Sequence, residues 1–286
     1  MFASRILRIA AKRLKYTMNF SGIIDMHTHS DHSFDGNHSC MLLCESAVAK
    51  GLDGIAITDH CEIDSMELDF RAFATNQYFE SYKAKKFFEG RLLVVQGLEL
   101  GQAIYKKALA ESILSKFNYD FILGSIHNLE NMEDFYYLDY SQYDVPALLD
   151  KYFDTVYELC MWNQFDSLAH LTYPLRYIKG EAEIDIDLSQ FSDKIEAILK
   201  TLVKNEKALE INTSGLFQKL NDTLPDKSII RLFKELGGKY ITIGSDSHYY
   251  YDLGRGIEQG MALAKECGFD TIAVYQQHEP VLIPIE

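Results

Sequence analysis

The sequence predicts an α/β chain whose parallel strands close into a barrel of seven β/α units, with a metal site at the C-terminal face of the strands. Three observations carry that expectation. Short apolar, β-branched runs alternate with longer segments of helical spacing, the pattern of β/α units around a parallel sheet. Metal-binding or polar residues follow every one of those runs. At 286 residues the chain exceeds the commonest single-domain length, yet α/β barrels routinely spend this much sequence on one core.

The strands fall at 22–25, 54–58, 92–97, 121–124, 167–169, 208–211 and 240–244. Helices with an apolar stripe fall at 41–50, 78–88, 145–162, 191–206, 228–236 and 257–267. No linker, repeat or low-complexity tract divides them. The segment 1–18 carries five basic residues and no acid, and reads either as a basic extension or as sequence upstream of a start at Met18. It is expected outside the fold, with one domain over 19–286.

Composition narrows the classes of function. Hydrophobic residues make up 47% and charged residues 24%, with five prolines, which leaves no room for a long disordered region. A net charge of -14 disfavours nucleic acid and anionic membranes, which need clustered Lys and Arg. No apolar run reaches the roughly 18 to 20 residues of a membrane span. Cys40, Cys44, Cys61, Cys160 and Cys267 are too few, and odd in number, for a disulfide framework, so a reducing cytoplasm is the simplest home. Cys40 and Cys44, four apart without a second pair, read as packing residues.

The residues that follow the strands are His27 and His29, Asp59 and His60, Glu99, His127, His170, Asn212, then Asp246 and His248. In a parallel barrel all strand carboxyl ends share one face, so these residues converge although they span the chain. Extended alternation puts His27 and His29 on one side, and likewise Asp246 and His248. Asp59 and His60 point apart, so His60 is read as a ligand and Asp59 as structural or as a support behind the ligands. Six of the nine histidines stand at strand ends, which chance does not explain. Imidazole and carboxylate donors without thiolate suit Zn, Mn or Fe better than Ca.

These motifs resemble those of the PHP (polymerase and histidinol phosphatase) superfamily: His27-Thr-His29, Thr58-Asp59-His60, a central Glu and His, and Asp246-Ser-His248. Glu210-Ile-Asn212-Thr-Ser214-Gly, Gly244-Ser-Asp246-Ser-His248 and the C-terminal Val281-Leu-Ile-Pro-Ile285 look like its histidinol-phosphate phosphatase branch. The resemblance runs from about Ile23 to the end. It implies a distorted (β/α)7, TIM-barrel-like fold holding three divalent ions. One ion would take His27, His29, Glu99 and Asp246, with Glu99 bridging to a second on His127 and His170. A third would take Asp35, His60 and His248, with His32 as the alternative to Asp35. It also implies a phosphomonoesterase acting on L-histidinol phosphate in histidine synthesis.

Charge supports a phosphate substrate. Three divalent ions against Asp35, Glu99 and Asp246 leave about +3, which a hydroxide and a phosphomonoester dianion bring to about zero. The expected chemistry is in-line attack by a hydroxide shared between two ions, with Asp246 or His248 passing a proton through water to the leaving group. Arg176 resembles the family's phosphate-binding position, and Arg255, after the Asp-x-His element, is a second candidate or a solvated helix start. Glu62 would meet a substrate ammonium, or else serve as a supporting carboxylate. The aromatic stretch 135–143 reads as a loop over the barrel mouth or as a packed segment; His38 and His278 read as structural or surface residues. A related phosphatase for another small phosphomonoester or nucleotide, and a noncatalytic metal-binding module, are the alternatives. Phosphate release after reconstitution with Mn or Zn separates the last from the others; the sequence leaves the oligomeric state open.

Overall fold

An apolar strand whose neighbours run in the same direction needs a crossover to bring the chain back, and the helices supply it. The computed structural model describes residues 22–64 and 70–285, so the segment 1–18 lies outside the described residues. The elements are β1 (Ile24–Thr28), α1 (Cys40–Lys50), β2 (Gly54–Ile57), β3 (His60–Glu62), α2 (Phe70–Phe87), β4 (Leu93–Gly101), α3 (Lys107–Leu114), β5 (Phe121–Ser125), α4 (Val145–Trp162), β6 (Ser167–Leu168), α5 (Ser192–Lys204), β7 (Ala208–Asn212), α6 (Lys227–Glu235), β8 (Ile241–Gly244), α7 (Ile257–Glu266), β9 (Thr271–Gln276) and β10 (Glu279–Pro284). The strands run β1-β2-β4-β5-β6-β7-β8, with β3 pairing the upper half of β4. All these pairings are parallel.

The first and last strands meet at a seam where the loop after β8 substitutes for a regular ladder. Asp246 N–H donates to the His27 carbonyl at 2.9 Å, and His29 N–H donates to the Ser247 carbonyl at 2.9 Å. The buried Asp25 carboxylate pins the same seam by accepting from Ser245 N–H and Gly254 N–H, each at 2.8 Å, and from the Ser245 hydroxyl. The result is the nearly closed, distorted barrel that the register of motifs predicted.

Helix ends follow the local sequence. Ser39 accepts from Leu42 N–H to start α1, and Gly51, at φ 78°, ends it in the left-handed region open to glycine. Asp144 caps α4 ahead of Pro146, and Asp226 caps α6 through Ser228 and Ile229. Cys40 and Cys44 lie in the core under α1, and all five cysteines are buried free thiols. Among the described residues no helix is long and apolar enough to cross a membrane.

Four features depart from the sequence reading. Helix α2 begins at Phe70 rather than at 78, and α3 and the three-residue β3 were not anticipated, being too short for a periodic signal. The antiparallel β9–β10 hairpin was missed because its turn residues, Gln277 (φ 54°) and His278 (φ 65°), adopt left-handed conformations without the usual Asn-Gly signature. This hairpin caps the bottom of the barrel. Ala273, Val274 and Tyr275 pack with Ile24, Val95 and Phe121, the Tyr275 and Phe121 rings stacking 5.2 Å apart.

The turn is tied to the barrel by charge. His278 Nδ1 lies 2.8 Å from the Asp166 carboxylate, and His278 N–H donates to the Asp120 carbonyl at 2.9 Å. The hydrogen bond to Asp166 raises the His278 pKa; partial burial and nearby Lys207 oppose the rise, and Asp120 adds to it. A raised histidine pKa stabilises the fold fully below the unfolded value, near 6.5, and the gain is lost as pH rises through the folded value. His278→Asn keeps a side chain that tolerates the left-handed turn. The gap in melting temperature between wild type and this variant is expected to be widest near pH 5.5 and to shrink by pH 9; a gap that widens with pH would contradict the assignment.

Candidate metal centre

The centre is built on one carboxylate. Glu99 lies within β4, which runs to Gly101 rather than stopping at 97, and is completely buried. Its Oε1 faces His127 Nε2 at 3.0 Å and His170 Nε2 at 2.9 Å. Its Oε2 faces His27 Nε2 at 3.2 Å, His29 Nε2 at 3.5 Å and His60 Nδ1 at 2.9 Å. Asp246 Oδ1 stands 3.4 Å from His29 Nε2, and Asp35 Oδ2 stands 3.1 Å from His248 Nε2 and 3.7 Å from His60 Nε2. All nine residues expected as ligands therefore converge. The Asp35 carboxylate faces both His60 and His248.

These contacts accommodate ions as well as hydrogen bonds. Bonds of about 2.1 Å to a tetrahedral ion place neighbouring donors about 3.4 Å apart, close to the spacings above. His29 Nε2, His60 Nδ1 and His248 Nε2 are buried without a hydrogen bond, although carboxylate oxygens lie near each. Four overlapping triads, His27-His29-Asp246, His27-Glu99-His170, His60-Glu99-His127 and His29-His60-His248, bring their donor atoms within 4.8 Å of one another and could each hold an ion.

Electrostatics divide the imidazoles. Burial, reinforced by the rings of His248 and His60, holds His29 well below the ordinary histidine range, so it is neutral with a free lone pair. Burial also lowers His27, but the carboxylates of Glu210, Glu99 and Asp246 outweigh it and raise the pKa well above normal. Burial opposes charge on His127 too, yet Glu62 and Glu99 raise it to about 10. Glu99, despite burial, is held well below the usual carboxylate range by His27, His60 and His127, and Asp246 by His27 and Arg176. Both carboxylates are ionised.

Further polar groups aim these donors. Glu210 accepts from His27 Nδ1 at 2.7 Å and from His170 N–H at 2.7 Å. Asp59 accepts from Ser30 N–H at 2.6 Å and from the Ser33 hydroxyl at 3.0 Å, and Ser33 Oγ lies 2.9 Å from His29 Nδ1, so Asp59 supports the ligands as expected. Glu62 Oε1 lies 2.9 Å from His127 Nδ1 and 3.1 Å from His60 Nδ1, which commits it to orienting imidazoles. A side chain at Gly244 would run into the Cβ of His27 and the Glu210 carboxylate, so glycine is what admits His27.

One local argument needs correction. Extended alternation does not bring Asp246 and His248 together, because β8 ends at Gly244 and Asp246 turns left-handed at φ 54°. Strain of that kind concentrates at functional sites. Here it lets Asp246 meet His27 and His29 with Oδ1 while Oδ2 accepts from Arg176 Nη2 at 2.8 Å and Asn212 Nδ2 at 3.3 Å.

A cavity of about 530 Å³ opens above the cluster. Arg176 enters it from a π-helical turn, Arg176–Glu181, with Nη2 also donating to Ser214 Oγ at 2.7 Å and Nε buried without a partner. Arg255 lines the same cavity, half-exposed, bound to Asp252 at 3.0 Å and stacked over Phe217. The stretch 135–143 combines both earlier readings: Phe135 and Tyr140 are buried, while Tyr136 and Tyr137 are exposed at the cavity. His38 packs edge-on against Tyr250. Sequence reading gave Glu210 and Ser33 no role at the site; a lone Glu inside the apolar run Ala208-Leu-Glu210-Ile was the available signal.

A family model, PHP domain, matches residues 25–214. A protein from Thermotoga maritima named "Probable histidinol-phosphatase" is 34% identical over 88% of this chain and 95% of its own length. The histidinol-phosphatase of Lactococcus lactis is 27% identical over 88% of this chain and 94% of its own. Among solved structures, histidinol phosphate phosphatase from Lactococcus lactis, complexed with zinc, L-histidinol and phosphate, superposes with a TM-score of 0.79 at 26% identity, covering 90% of this chain and 98% of that one.

The aim of His27 through Glu210 is testable. Glu210→Gln preserves shape but removes the carboxylate, and should weaken zinc binding by about 10–100-fold, read by competition with a fluorescent chelator; unchanged affinity would remove Glu210 from the centre.

Proposed function

We propose that this chain, which belongs to the PHP domain family, hydrolyses L-histidinol phosphate to L-histidinol and inorganic phosphate with divalent ions held in the histidine and carboxylate cluster. The observation that carries the reading is the two-sided use of Glu99, one oxygen toward His127 and His170 and the other toward His27, His29 and His60, directly beneath a cavity that Arg176 enters. The names of its relatives, and the zinc, histidinol and phosphate in the Lactococcus lactis structure, support the substrate.

In this reading His27, His29, Glu99 and Asp246 hold one ion, Glu99 with His127 and His170 a second, and Asp35 with His60 and His248 a third. The donor set of imidazoles and carboxylates suits zinc, manganese or iron. Bound ions supply charge neutralisation at the phosphoryl oxygens and activate water near neutral pH.

The chain's own groups do the positioning. Arg176 has Nη2 anchored by Asp246 and Ser214, which holds its guanidinium at the cavity wall where a phosphate oxygen would meet it. Burial opposes the guanidinium charge, but Asp246 outweighs it, so the cation persists. Arg255 stands at the rim with its charge shared by Asp252, suited to attracting an anion. Asp246 engages both oxygens and acts as an anchor. His248, part-exposed at the cavity, is placed to pass a proton from its ring through water to the leaving alkoxide.

Charge agrees with a dianionic ester. Glu62, Glu210 and Arg176 join the groups counted from sequence, and with three divalent ions the site carries about +2, which a phosphomonoester dianion neutralises and a hydroxide beside it takes to about -1. After chelation, phosphate release from L-histidinol phosphate should vanish, and zinc or manganese should restore it. His27→Ala and Asp246→Asn should stay inactive under the same reconstitution. A zinc-loaded wild type that releases phosphate from no monoester would overturn the reading in favour of a metal-binding module.

A further inference from the structure

The cavity has a second wall that the metal chemistry leaves unexplained. Four carboxylates line it: Asp35 and Asp246 belong to the cluster, and Asp252 is paired with Arg255. The fourth, Asp134, makes no ion pair with a Lys or Arg among the described residues. Its Oδ1 accepts from Tyr136 N–H at 2.7 Å and from the Tyr173 hydroxyl at 2.9 Å. Tyr177 donates to the Tyr173 hydroxyl at 3.1 Å, completing a chain that holds the carboxylate in place.

The position is fixed relative to the metals. Phe135 N–H donates to the His127 carbonyl at 3.0 Å, and the Tyr173 ring lies 4.8 Å from the His127 ring, so Asp134 stands one tyrosine beyond the cluster. Tyr136, Tyr173 and Tyr177 line the same cavity, the Tyr136 and Tyr177 rings meeting edge-on 5.5 Å apart. A part-buried carboxylate among aromatic faces is the environment in which an organic cation gains both a charged hydrogen bond and cation–π attraction. Burial pushes the Asp134 carboxyl up, and the His127 imidazole beyond Tyr173 opposes that rise without forming an ion pair.

We infer that Asp134, held by Tyr136 and Tyr173, reads a positively charged amine on the organic half of the phosphomonoester and so determines specificity. The sequence had offered Glu62 for that contact, but Glu62 is committed to His127 and His60. This assignment rests on the phosphatase reading and adds to it the residue that recognises the ammonium group of the leaving amino alcohol. The phosphate end meets Arg176 and the ions; the ammonium end meets Asp134.

The test compares two substrates on zinc-loaded enzyme, L-histidinol phosphate and its N-acetyl derivative, which keeps the phosphate and ring but loses the positive charge. Asp134→Asn, nearly isosteric, should lower kcat/KM for the ammonium ester by roughly 10–100-fold, the scale of one hydrogen bond to a charged group. For the acetylated ester kcat/KM should stay within about twofold, and zinc content should be unchanged. Equal losses on both substrates, or no loss on the ammonium ester, would overturn the assignment while leaving the phosphatase reading intact. A wild type inactive on every phosphomonoester would overturn both.

Discussion

A carboxylate with no exposure to water is stable only where positive charge or hydrogen-bond donors surround it, and Glu99 makes that demand at the centre of this fold. The strand that carries it is shaped accordingly. β2 pairs with β4 as far as Gln96, and β3 takes over from Glu99, so β4 reaches farther into the mouth than a single neighbour could support. At the changeover Asp59 accepts the Glu99 N–H at 3.1 Å through its carbonyl. Its side chain meanwhile turns to Ser30 and Ser33. One residue thus fixes the backbone of the bridge and the loop of His29.

Around Glu99 the centre is organised by what lies behind each imidazole. Glu210 stands behind His27, Ser33 and Asp59 behind His29, and Glu62 behind His127. Such partners fix ring orientation before an ion arrives, which lowers the reorganisation that binding would otherwise require. The carboxylates have a cost: ionised groups crowded in a dry barrel mouth repel one another unless cations are present. Ion binding and the stability of this face are therefore coupled.

Much of this was legible in the sequence because a parallel barrel converts position along the chain into position in space. Once seven apolar runs were located, His27, Glu99, His127, His170 and Asp246 had to share a face. Glu210 entered only as part of a family motif and received no role, because it lies inside a strand, where a charged residue reads as an interruption of the apolar run. Strand alternation was the wrong ground for pairing Asp246 with His248: Asp246 is left-handed, and that turn is what aims its carboxylate at His27 and His29. Asp134 had no signal at all: it belongs to a loop placed by a backbone hydrogen bond to His127, and no periodicity reports such a contact.

The hairpin beneath the barrel has a consequence for traffic. With Ala273, Val274 and Tyr275 packed against Ile24, Val95 and Phe121, the lower end is solid, and the chamber has its opening at the ligand-bearing face. For the proposed hydrolysis, that geometry sets an order of departure. Phosphate held by Arg176 at the floor would have the alcohol between it and the opening. The chamber would then empty from the top, the outer product first and the deeper one after it.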